Sequence, residues 1–222
     1  MSLPIVRVAL WALVIAGCAT VKDSTFPVYW ENLPFPKSQV PVFYLTSDKV
    51  AQHGRFAENV ATLVKKLVEV HPLPVDAIVI LSVESSPPQA HLLAPILVAT
   101  GYRCGSGTEP GHYGCMHINY GAMQKLSEQA QIGTIAHELG HVEKGHRFVV
   151  GETIWQFNAT ENEADDAGVA LLNDAGYCGG LVMRRTLREW KVVVPDVLQY
   201  YFPDSILNYD ERIERLPTAC HK

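Results

Sequence analysis

The chain has 222 residues, a formal net charge of −5, and 48% apolar against 18% charged residues. That is the make-up of an ordinary globular protein with room for one well-filled domain. It argues against nucleic-acid binding, because no basic run, Arg/Lys stripe or glycine-rich phosphate loop occurs, and it holds no repeat or low-complexity tract.

In chain order, residues 1–17 read as a signal peptide: one positive charge at Arg7, then an apolar run from Val8 to Ala16 too short to cross a bilayer comfortably. Loss of that single charge takes the net charge from −5 to −6. The run ends in Val14-Ile15-Ala16-Gly17-Cys18, which resembles a bacterial lipobox and makes Cys18 the expected lipidation site. A cleaved leader with an incidental cysteine is the alternative. No aspartate follows Cys18, so in a host with two membranes the expected location is the outer membrane, facing the periplasm. Residues 18–41, with prolines at 27, 34, 36 and 41, read as a tether, and 42–222 as the folded domain.

Val42–Thr46 is a predicted short strand. Asp48–Val70 is a predicted amphipathic helix on Phe56, Val60, Leu63, Leu67 and Val70, ended by Pro72 and Pro74. His53 and His71 read as ordinary surface or cap residues. The β-branched run Ala77–Val83 predicts a buried strand, with further strands expected at Leu92–Ala99 and Cys115–Tyr120. The glycines of Gly101–Gly114 predict a long hairpin loop between those two. Ser127 is a fitting cap for a helix running to about Gly145, with an apolar stripe of Ile132, Ile135, Leu139 and Val142. A helix starting at Asn158 or Thr160 and ending before Gly176 follows, then Leu181–Val193 and a final turn over Tyr209–Leu216.

Beyond Cys18 the cysteines are Cys104, Cys115, Cys178 and Cys220, an even number that favours disulfides in an exported chain. Of three pairings, Cys104–Cys115 with Cys178–Cys220 is preferred, because the first closes a short loop and the second staples the tail.

The chemistry lies in two motifs. His137-Glu138-Leu139-Gly140-His141 puts two imidazoles four residues apart on one helix face, where they can hold two corners of a zinc site and leave one for water. Glu138, on the flank, is the expected general base and sole catalytic residue of the motif. A shuffled chain of this composition would contain such a pentapeptide roughly twice in a hundred, so a third ligand is needed to give it weight. Glu161-Asn162-Glu163-Ala164-Asp165 supplies one: Glu161 as ligand and, one turn on, Asp165 accepting the N–H of a ligating imidazole. His146 is five residues past His141, which fails the spacing of a third histidine ligand. It is expected to point away from the metal and to act as a charge on the helix C-terminus.

With these motifs in place, 89–216 resembles the gluzincin peptidases typified by the CAAX prenyl endopeptidase and its bacterial heat-shock and periplasmic relatives. The likeness is carried by Gln89-Ala90-His91, Ile135–His141, Glu161–Asp165, Ala175-Gly176-Tyr177, Pro203 and Arg212-Ile213. Asp166 departs from it where a basic residue is common, and Phe202 where His is frequent. The resemblance implies an α+β, minigluzincin-like fold: helices packed on a small antiparallel-rich sheet, with the His137–His141 helix at the core. It implies one Zn2+ per chain on His137, His141 and Glu161, Glu138 as base, and Asp165 behind the ligands. An edge strand, expected at Leu92–Ala99, would take an extended peptide by strand addition. Tyr201, Tyr209 and Arg212 are candidates for contact with the oxyanion or substrate. The expected function is a zinc metalloendopeptidase of the cell envelope, acting on extended or misfolded polypeptides such as unassembled envelope proteins. The alternatives are an envelope chaperone or assembly factor with little turnover, and a structural zinc domain.

Overall fold

The computed structural model describes residues 42–46, 54–83, 99–104, 113–146, 154–193 and 208–220, all within the unit Ser38–Lys222. The fold is α+β. Strands β1 (Val42–Thr46), β2 (Ala77–Val83), β3 (Ala99–Cys104) and β4 (Tyr113–Asn119) form one sheet in the order β1-β2-β4-β3. Pairs β1–β2 and β2–β4 are parallel and β3–β4 is antiparallel, so the sheet is mixed and not antiparallel-rich as expected. Helix α1 (Gly54–Val70) lies between β1 and β2 in the chain and provides the crossover that a parallel pair requires. With parallel neighbours on both sides, β2 is interior, and Ile78 and Ile80 are fully buried.

The expected loop over 101–114 is corrected at both ends. Residues Gly101–Cys104 belong to edge strand β3, and β4 starts at Tyr113. Of the expected strand Leu92–Ala99, only Ala99 lies within the described residues. Gly101 marks a close approach and not a turn: a Cβ there would sit 2.2 Å from the carbonyl oxygen of Glu138.

The remaining helices are α2 (Tyr120–Met123), α3 (Glu128–Lys144), α4 (Ile154–Asp174), α5 (Gly179–Val193) and α6 (Tyr209–Arg215). Ser127 caps α3 as predicted, accepting from the Ala130 amide at 3.3 Å. Its own amide and hydroxyl donate to Glu189 of α5 at 2.7 and 2.6 Å. Helix α4 begins ahead of Asn158 and Thr160, so the caps expected there lie inside it. Gly176, at φ 83°, ends the turn after α4, where the Tyr177 amide donates to Leu172 and closes the helix.

Helix α3 is the centre of the molecule. Its stripe Ile135, Leu139 and Val142 is fully buried. At Gly140 it meets α4 backbone to backbone: a Cβ there would come within 2.4 Å of the Ala164 carbonyl oxygen. Position 140 must be this small for α4 to come this close. The tail is fastened by the Cys178–Cys220 disulfide, as expected, and by Arg184, whose guanidinium donates to the carbonyls of Ile213 and Leu216. Among the described residues no helix is long and apolar enough to cross a membrane.

Candidate metal centre

His137 and His141, one turn apart on α3, set their Nε2 atoms 3.1 Å from each other. From α4, Glu161 brings Oε2 within 3.3 Å of His137 Nε2 and Oε1 within 3.3 Å of His141 Nε2. All three side chains are buried. Glu138 is buried beside them, and the ligand-type atoms of His137, Glu138 and His141 lie within 4.8 Å of one another, a group able to hold a metal ion. The Glu138 carboxylate is held from the sheet side, where the Gly101 amide of β3 donates to Oε2.

Behind the rings stands a buried ionic layer. His137 Nδ1 donates to Asp165 Oδ1 at 2.9 Å. Arg212 of α6 donates to both Asp165 oxygens at 2.8 Å, in the fork geometry of a guanidinium on a carboxylate, and its Nη1 lies 3.0 Å from Glu161 Oε2. Trp190 of α5 meets His137 edge-on at 5.1 Å between ring centres, and its indole N–H donates to Thr134 at 2.9 Å. His137 thus has an ion pair on one nitrogen and an apolar wall along its side.

The electrostatics favour positive charge between the rings. Burial alone would lower His137, but its hydrogen bonds to Asp165 and Glu161 outweigh that and push it up to about 10. Burial would raise Glu161, yet Arg212 and the two histidines hold it well below the usual carboxylate range. Asp165 is likewise lowered, burial being overcome by Arg212 and His137. Glu138 goes the other way: burial dominates and raises it above the ordinary carboxylate value.

His146 corrects the expectation that it points away. After α3, Gly145 takes a left-handed conformation at φ 72°. The His146 amide then donates to the His141 carbonyl and the Gly145 amide to that of Val142, the paired bonds that reverse a chain at a helix end. The His146 ring therefore folds back, with Nδ1 2.8 Å from His141 Nδ1 and Nε2 3.0 Å from Glu163 Oε2.

Of the other sequence candidates, Arg212 is engaged by the carboxylates of α4, and Tyr209 is half-buried with the Arg212 guanidinium 6.0 Å from its ring centre. Asp166, where the resemblance predicts a basic residue, pairs with Arg215 at 2.6 Å. Tyr201, Cys18 and Gln89–His91 lie outside the described residues. Cys115 is disulfide-bonded, and strand register sets Cys104 opposite Tyr113 and Tyr102 opposite Cys115. Sequence reasoning missed Gly101, Trp190 and His146 as contributors to this centre. In comparison with known proteins, no family model, no curated protein and no solved structure matches the chain.

Proposed function

We propose that the protein is a zinc-dependent endopeptidase whose metal is held by His137, His141 and Glu161. One observation carries the reading. The two Nε2 atoms face each other at 3.1 Å, with Glu161 Oε2 3.3 Å from that of His137 and Oε1 3.3 Å from that of His141, while ligands about 2.0–2.1 Å from a tetrahedral zinc are about 3.3–3.4 Å apart. Glu161 is favoured over Glu138 as third ligand because both its oxygens face the rings, whereas Glu138 is held off by the Gly101 amide. A histidine–histidine–carboxylate set leaves a coordination position for water, as catalytic zinc sites do and closed structural sites do not. The resemblance of the two motifs to gluzincin peptidases points the same way.

When bound, zinc supplies Lewis acidity, polarising a scissile carbonyl and making water a stronger acid. The chain's own groups do the rest. Glu138 takes the proton of the attacking water and passes it to the departing amine. Gly101 aims that carboxylate, Asp165 keeps His137 in the tautomer with Nε2 free, and Arg212 keeps Asp165 and Glu161 ionised and still. Outward amides of β3 at Gly101 and Arg103 already donate to Glu138 and to the His146 carbonyl.

Metal content and cleavage of an unfolded polypeptide, measured together on the full chain, test the reading. Glu138→Gln is expected to keep zinc and fold while losing about 10²–10⁴-fold in cleavage rate; a zinc-loaded wild type that cuts nothing favours the chaperone alternative. We further propose that Cys18 carries a lipid anchor holding the domain in the cell envelope. Cys18→Ala is expected to move the protein from the membrane to the soluble fraction, and unchanged partitioning counts against the anchor.

A further inference from the structure

We propose that His146 is a positioning residue of the metal centre, fixing the tautomer and ring angle of His141 as Asp165 does for His137. This rests on the reading of His137, His141 and Glu161 as metal ligands. His141 Nε2 faces the other two donors, so its lone pair is needed there and its proton must sit on Nδ1. Among the described residues the partner of Nδ1 is His146 Nδ1, at 2.8 Å. His146 must then accept at Nδ1 and carry its own proton on Nε2, from which it donates to Glu163 Oε2 at 3.0 Å. Each proton in this chain is determined by the one before it, and no group is asked to donate and accept with the same nitrogen.

Backbone geometry makes the arrangement durable. The His146 amide is bound to the His141 carbonyl at 3.0 Å, and its own carbonyl accepts from the Arg103 amide of β3 at 2.8 Å. Its ring centre is 5.0 Å from that of His141. The two histidines of the motif are therefore oriented by different means. His137 has a fully buried, arginine-paired carboxylate behind it, whereas His141 has a neutral imidazole whose outer nitrogen meets a carboxylate 59% exposed to solvent. The second chain links a buried donor to the surface, which makes His141 the more readily loosened of the two.

The test compares two replacements of similar size. Asn presents an amide oxygen near the place of the imidazole Nδ1, and Leu presents none. The full chain, stripped of metal, is titrated with zinc against a chromophoric chelator, and melting of the metal-free form is followed in parallel. His146→Leu is expected to weaken zinc binding about 10–100-fold, and His146→Asn to recover most of that loss, with both variants melting alike when metal-free. Equal zinc affinity in the Leu and Asn variants, whether both resemble wild type or both are weakened, overturns the inference. It leaves the centre standing if wild type binds zinc. A wild-type chain that binds no zinc overturns both together.

Discussion

Arg212 answers to two buried carboxylates at once, and among the described residues it is the closest arginine to both: Arg215 reaches Asp165 only at 3.8 Å, and the remaining partners are histidines. Removing Arg212 takes away the main counter-charge of Asp165 and Glu161, and breaking a buried pair in this way costs about 3–5 kcal/mol. Arg212→Ala is expected to lower the unfolding free energy by that amount in denaturant titrations. Arg212→Lys, which keeps charge but not the two-pronged grip on Asp165, should fall in between. The sign of the acid response follows. Asp165 and Glu161 are held below their ordinary values, so their contribution is full above the unfolded carboxylate pKa of about 4 and drains away as pH falls through the lowered values. The wild type should lose stability steeply in acid, and Arg212→Ala should show a shallower loss between neutrality and pH about 3; equal slopes would exclude the guanidinium as the cause.

At the scale of elements, the grouping of the proposed ligands was legible because its spacing is that of the helix itself. His137 and His141 share a face of α3, Glu161 and Asp165 share a face of α4, and a four-residue repeat needs no tertiary information. What the repeat does not contain is chain reversal and close approach. The return of His146 depends on Gly145 adopting a positive φ, after which the second residue past the helix binds the carbonyl five back. A glycine just beyond the last turn was the available signal, and here it points at His141. Gly101 was taken for loop because glycine in a turn and glycine under a helix look alike in one dimension. The parallel pairing of β1, β2 and β4 was missed because strand direction depends on which edge each crossover returns to. The α3–α4 crossing makes its own prediction. Gly140→Ala places a Cβ 2.4 Å from the Ala164 carbonyl oxygen, overpacking that costs about 1–3 kcal/mol. Because the helices must part, zinc affinity should fall as well. A variant destabilised by that amount but binding zinc at wild-type strength would show that the crossing does not set the ligand distances.

For the molecule as a whole, the centre is assembled from separate elements: α3 and α4 bring the proposed ligands, β3 brings Gly101 to Glu138, α5 brings Trp190 against His137, and α6 brings the arginine that pairs with Asp165 and Glu161. The Cys178–Cys220 bridge closes a separation of 42 residues around α5 and α6, worth about 4 kcal/mol in loop entropy at most. Replacing both cysteines with Ala is expected to cost about 2–4 kcal/mol and to weaken zinc binding, the second effect arriving through Arg212. A loss of stability with zinc binding intact would show that α6 is held well enough by Arg184 and packing alone. The order of synthesis adds a consequence. A ribosome that stalls before codon 209 has already made every side chain proposed to hold the ion, yet none of the guanidinium behind them. Such a fragment would pass any inventory of metal-binding motifs while lacking the guanidinium that pairs with Asp165 and Glu161, so the ionic layer behind the rings is completed only when α6 docks.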